Sequence, residues 1–337
     1  MQALQRSIWQ ALTIAEKEAT LRELPLPEGF SLLRMDNFAR YGQQLETGVF
    51  GYGDDEFVFI PGDKVTLGWE NRINRMDAPT RAELEKGLEE LGRSLEDAPE
   101  LMRQQMSPLR EVIIGPMLVE RHVRSVSWEE ATAEELAEDE ELQADLATFL
   151  QSGYNAYELN ETHRFTRIGD EVRVELFWTS DDYPEWAETS LTEGFAILTE
   201  DEWEYLYGGG SRTLFPWGDS FDYTMKVRHF GELQPAAGEE GNNAGEGNLA
   251  SERPYDLELP NAFGLHFLGD PYQCELTVSA DGVVRGKGGD GGSAICGGLG
   301  VLLGYLPTAT AYRDPYAGEL EWPELIGYFH FRRIVRL

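Results

Sequence analysis

The sequence predicts an α+β fold, and three kinds of observation predict it. Apolar residues recur at helical spacing near the N-terminus and over residues 80–106. Short alternating runs, such as Val172-Arg173-Val174-Glu175-Leu176-Phe177-Trp178, read as half-buried strands. Between them stands one strongly specified helix start, Leu198-Thr199-Glu200-Asp201-Glu202-Trp203-Glu204-Tyr205, closed by Gly208-Gly209-Gly210. Thr199 and Glu202 have capping-box spacing, Leu198 and Trp203 have staple spacing, and the glycines admit the positive φ that ends a helix.

Taken in order, Leu4, Ile8, Leu12, Ala15 and Ala19 predict one amphipathic helix over 2–22, ended by Leu24-Pro25-Leu26-Pro27-Glu28-Gly29. Residues 30–55 give no clear assignment beyond a turn-rich stretch from Gly48 to Gly53. Residues 56–68 read as two short strands around Pro61-Gly62. Leu84, Leu88, Leu91 and Leu95 form a helical stripe that Pro99 interrupts, and Val112-Ile113-Ile114 and Met117-Leu118-Val119 suggest strands. From Trp128 to Phe149 acids interleave with Leu136, Leu142, Leu146 and Phe149, which fits a solvated helical face or a surface that docks a cationic partner. Residues 183–192 are expected to be helical, and 232–256, rich in Gly, Asn and Glu, a long loop and candidate site wall. The C-terminal third is glycine-rich with short apolar runs.

Composition narrows the partners. The 337 residues carry 61 acidic and 28 basic side chains, a formal charge of −33. That argues against nucleic acid, which requires a basic footprint, and against anionic membranes. No apolar run approaches a membrane span and no signal peptide is evident, so a cytoplasmic protein is expected. Cys274 and Cys296 are too few for a disulfide framework; they fit a pair, a shared metal, or two buried small hydrophobes. The five histidines are scattered, with no zinc-ligand spacing and no Gly-x-Ser-x-Gly elbow. Gly286-Lys287-Gly288-Gly289-Asp290-Gly291 matches Gly-x-Gly-x-x-Gly but has no βαβ unit after it, so a dinucleotide site is not expected.

Several segments in order resemble the formylglycine-generating enzyme (sulfatase-modifying factor) family. They are Phe59 to Gly68, Arg110 to Arg121, Leu198 to Tyr205, Pro216-Trp217-Gly218-Asp219, Asn261-Ala262-Phe263-Gly264-Leu265, Val284-Arg285-Gly286 with Gly291-Gly292-Ser293, and Ala311 to Asp314 with Phe331 to Val335. The resemblance spans residues 56–337 and implies a C-type-lectin-like fold of short strands, few helices and long loops. Residues 1–55 would then be an N-terminal helix and extension, and acidic helices at about 77–106 and 128–150 would be insertions.

Its functional implications are thinner. The family's oxidases hold Cu(I) with two cysteines; Cys296 falls at the first position and Ser293 where a serine lines the oxygen pocket, but Val301 stands at the second cysteine position. That puts copper in doubt, with Cys274 the one other thiol able to complete a pair. Asp270 and Glu275 fall at calcium-ligating positions, so calcium is the cofactor the resemblance admits. The three-histidine iron signature of the related sulfoxide synthases is missing. Another branch of the fold, the variable proteins of diversity-generating retroelements, serves only to bind. Two functions follow as expectations. The first is a non-catalytic module that binds a protein or small ligand through loops 232–256 and 286–316, with Tyr305, Tyr312, Arg313 and Tyr316 at its rim. The alternative is a metal- and oxygen-dependent oxidase acting on a peptide or small thiol through Cys296 and Ser293.

Overall fold

The structure is a computed structural model that describes residues 2–169, 171–233, 253–279, 282–317 and 321–337. It is mixed α+β with several separate sheets. The chain divides into two units. The first comprises residues 1–124, 191–319 and 330–337; the second comprises residues 125–190 and 320–329.

The first unit is built on a five-stranded antiparallel sheet ordered Ser31–Arg40, Gln43–Tyr52, Asp55–Ile60, Met117–Glu120, Ile334–Arg336. Phe57, Val58, Phe59 and Ile60 are all buried, which is why this central strand reads as a continuous apolar run. The C-terminal strand closes the sheet through Ile334↔Val119, placing the last residues beside a strand two hundred positions earlier in the chain. The strands Asp63–Leu67 and Arg110–Ile114 pair separately, as do Cys274–Val278 and Val284–Lys287.

Two segments depart from the sequence expectation. Residues 31–40 and 43–52, for which the sequence gives no clear assignment, are two ten-residue strands. A register shift between Leu32 and Arg34 breaks the two-residue alternation, and the tight turn uses Tyr41 (φ 51°) and Gly42 (φ 74°), not the usual Asn-Gly. The expected single helix over 2–22 is broken into Gln2–Leu4, Arg6–Trp9 and Ile14–Arg22. The break has a cause: Thr13 and Glu16 form a capping box that starts a new helix. Trp9 is sealed in the core and donates its indole N–H to the Glu46 carbonyl at 2.9 Å.

The acidic helices near residues 77–106 contribute to the core. Leu84 and Leu88 of Ala78–Glu90 and Met102 of Ala98–Gln104 pack in one cluster with Phe215, Phe221, Leu302 and Tyr305. Glu83 accepts the N–H groups of Val301 and Leu302 at 2.5 and 3.2 Å, capping the short helix Val301–Gly304.

The second unit has its own antiparallel sheet, ordered Trp128–Glu130, Glu171–Phe177, His163–Ile168, Ala156–Leu159. Leu142 and Phe149 of the helix Glu140–Gln151 bury against Phe165 and Val174. Its expected solvated face is present: within that helix only Leu142 and Phe149 are buried. Arg167 closes its C-terminal end by donating to the carbonyls of Phe149 and Leu150 at 3.0 and 3.2 Å. No helix among the described residues is long and apolar enough to cross a membrane.

Candidate functional site

The helix Glu200–Gly208 places the first functional groups. Thr199 caps it and Glu202 completes the capping box, while Leu198 and Trp203 are both buried. Gly209 at φ 63° ends it, as the glycine run predicts. The acids of this helix do more than cap. Lys287, from the neighbouring hairpin, is 1% exposed and reaches Glu204 at 3.0 Å, Glu200 at 3.4 Å and the Tyr312 carbonyl at 2.6 Å. Its ammonium also lies 5.5 Å from the centre of the Trp203 ring. Arg313 grips Glu200 with two bonds of 2.8 and 2.6 Å. Burial would raise the Glu200 carboxyl, but Arg313 and Lys287 outweigh it and hold it at about 2. Arg110 stands 3.2 Å from Glu204 off the hydrogen-bonding direction, so it acts there by charge.

A second buried ion pair lies beside the first. Arg332 is fully buried and donates to Glu275 at 2.8 Å and to the backbone carbonyls of Glu120 and His266, both at 2.7 Å. The Trp203 indole N–H donates to the other Glu275 oxygen at 3.1 Å. Asp270 is engaged as well, 2.7 Å from His229 Nε2 and accepting the Tyr272 N–H at 3.0 Å.

These contacts decide what the expected calcium residues can hold. Both Glu275 oxygens already receive cationic or N–H donors, and the Arg332 guanidinium occupies the place a cation would take. The donor set does not fit calcium. Among the described residues no group of three or more His, Cys, Asp or Glu side chains is arranged to hold a metal ion.

Above this charged layer lies the glycine loop. Buried Asp290 accepts the N–H groups of Gly292 and Ala294, each at 3.0 Å, and so fixes the turn entering Ser293–Cys296. Gly292 has φ 86°, and a Cβ there would lie 2.3 Å from the Tyr272 ring; glycine is required for Tyr272 to lie against the loop. The Tyr272 hydroxyl is 3.1 Å from Cys296 Sγ, and the His229 and Tyr272 rings are 4.7 Å apart. Phe230 follows His229, is 41% exposed, and lies 6.1 Å from the Tyr305 ring. His229, Phe230, Tyr272 and Cys296 thus share one patch over Tyr305.

The expected site residues divide accordingly. Cys296 and Ser293 are exposed on the short helix Ser293–Cys296. Cys274 is 2% exposed, and burial pushes its thiol up. Tyr305 and Tyr312, expected at a ligand-binding rim, are 0% and 4% exposed and cannot line it; Tyr305 lies against Phe230 and His229. Arg313 is committed to Glu200, and Tyr316 is open at 62%. Most of the 232–256 loop lies outside the described residues. Sequence reasoning passed over His229, Phe230 and Tyr272, which carry the patch. The His229-Phe230 pair directly before the Gly/Asn/Glu-rich stretch was the available signal.

Two small cavities near this site, at Tyr207 and Trp217 and at Trp203 and Lys287, hold about 20 and 10 Å³, room for one water at most. No protein-family model and no curated protein sequence matches the chain.

Proposed function

We propose that the chain is a divergent formylglycine-generating-enzyme-like protein of C-type-lectin-like fold. In this reading it acts as a binding module that takes a protein or small ligand on the patch formed by His229, Phe230, Tyr272 and Cys296. One observation carries the reading: exposed His229 and Phe230 stand with half-buried Tyr272 on a unit whose buried charged residues are already paired. Lys287, Glu200, Glu204, Glu275 and Arg332 are committed to one another, so they supply rigidity and no free acid or base. Exposed rings held by such a base favour recognition over chemistry, since little is lost in ordering them. Glu275, expected to hold calcium, is already engaged by Arg332 and Trp203, which also favours binding.

The oxidase reading keeps one observation in its favour, the exposed Cys296 thiol beside the Tyr272 hydroxyl. One experiment separates the two. Wild type and a Phe230→Ser/Tyr272→Ala variant of equal melting temperature are used for affinity capture from cell extract. Oxygen uptake is measured with a cysteine-containing peptide after anaerobic Cu(I) loading, for wild type and Cys296→Ala. A partner retained by wild type and lost by the double variant, with no Cys296-dependent uptake, supports the binding module. Oxygen uptake that disappears in Cys296→Ala overturns it.

A further inference from the structure

The second unit has an open sheet edge. Ala156–Leu159 pairs with His163–Ile168 on one side, and among the described residues no strand lies on the other. All four of its residues are exposed. The Asn155 carbonyl accepts the Arg167 N–H at 2.9 Å, so the odd-numbered residues turn their backbone groups into the sheet. Ala156 and Glu158 therefore turn theirs outward. Such a row of unpaired groups is a template for another strand, and protein edges are commonly blunted by lysine or proline. Residues 151–170 contain neither.

The surroundings select an occupant. Leu150, Tyr154, Tyr157 and Leu159 are 38–71% exposed and border the edge on the side of the helix Glu140–Gln151, where Tyr157 stacks 5.8 Å from Phe165. On the opposite face a groove of about 460 Å³ opens, lined by residues that include Glu158, Arg164, Thr166, Ile168, Arg173 and Glu175. A strand added here would present alternate side chains to an apolar strip and to this polar groove. Charge fixes the sign of the polar ones. Residues 125–190 and 320–329 hold 20 acids against three arginines and no lysine, −17 of the chain's −33. Each arginine is already engaged: Arg164 with Glu175 at 2.7 and 2.8 Å, Arg167 with the helix carbonyls, and Arg173 3.9 Å from Glu130. Glu158 and Glu161 have no ion-pair partner among the described residues.

We propose that this edge accepts an extended basic segment of a partner protein as an added strand, with lysine or arginine alternating with apolar residues. A second copy of this chain is a poorer occupant, because it would bring two units of charge −17 together. The proposal does not depend on the function proposed for the His229 patch.

The test uses the full chain and a labelled seven-residue peptide alternating lysine and valine, with fluorescence anisotropy as readout. A glutamate–valine peptide and two variants serve as comparisons. Ala156→Pro removes one outward N–H and leaves every charge in place; Glu158→Lys reverses one charge. Both are checked by thermal melting against wild type. The lysine peptide is expected to bind wild type, to lose about tenfold or more in affinity with either variant, and to weaken as salt rises, while the glutamate peptide does not bind. Equal binding by Ala156→Pro and wild type overturns the proposal, as does equal binding of the two peptides. Self-association of the chain, abolished by Ala156→Pro and indifferent to the lysine peptide, overturns it in favour of a second copy.

Discussion

Lys287 Nζ lies 3.0 Å from a Glu204 carboxylate oxygen, with both side chains closed to solvent. Lys287 ends the strand Val284–Lys287, and Glu204 sits in the middle of the helix Glu200–Gly208. One ion pair therefore ties the glycine loop to the helix. Removing one partner of a buried pair leaves the other charge uncompensated. Lys287→Met is expected to destabilise the protein by about 3–5 kcal/mol. The double replacement Lys287→Met/Glu204→Leu should recover most of that loss. Urea titrations of the three proteins check this; a single variant within ~1 kcal/mol of wild type would show that the pair is not structural.

Stability should fall with acid in two overlapping windows. Burial, with the charge of the stacked His122 ring adding to it, pushes His266 down to about 4 from its ordinary 6.5. The unfolded chain thus binds a proton that the folded one refuses, and stability drains as pH drops from about 6.5 toward 4. Glu56 is held at about 2, chiefly by its hydrogen bond from Arg34, and Glu200 at about 2 by Arg313 and Lys287 against burial. Folded carboxyl values below the unfolded 4.5 give stability that is present above 4.5 and lost as pH falls toward 2. Denaturant midpoints at pH 7, 5.5 and 3 read both windows. His266→Gln should flatten the slope between pH 6.5 and 4 and leave the lower one.

The capping box at Thr199 carries a second duty. Glu202 accepts the Thr199 N–H at 2.8 Å and also binds Arg336 of the C-terminal strand at 2.7 and 2.6 Å. Thr199→Ala removes only the cap and should cost about 1 kcal/mol. Glu202→Ala removes the cap's reciprocal bond and the tie to the last strand, and should cost about 1–3 kcal/mol more. Equal effects of the two substitutions would mean that the Arg336 contact adds nothing.

What was legible in the sequence was local. The helix at Thr199, its glycine stop, the Pro61-Gly62 turn and the strand around Val174 are each specified by residues a few positions apart, and they stand where the sequence reading placed them. The hairpin over residues 31–52 was not legible, because its bulge and its Tyr41-Gly42 turn hide the alternation. The site was less legible still. Glu200, Glu204 and Glu275 invite readings as surface or metal-binding acids until Lys287, Arg313 and Arg332 arrive from 57 to 113 residues away. Tyr305 and Tyr312 looked like rim aromatics because a burial made by distant helices leaves no mark beside them.

The two cysteines differ enough in setting to be told apart chemically. Cys296 is exposed and its sulfur lies 3.1 Å from the Tyr272 hydroxyl, whose phenol the contact raises. Cys274 is 2% exposed beneath the Asp290 turn, and burial pushes its thiol up. Alkylation requires the thiolate and access to it. Iodoacetamide at pH 7.5 should therefore label one thiol per native chain, Cys296, and a second only after denaturation. Tyr272→Phe removes the hydroxyl beside the Cys296 sulfur and should not change which cysteine reacts. Peptide mapping after a timed quench reads both results. Labelling of Cys274 in the native protein would mean that the glycine loop opens on its own. A patch that opens in this way would lose the rigidity on which its proposed role as a recognition surface depends.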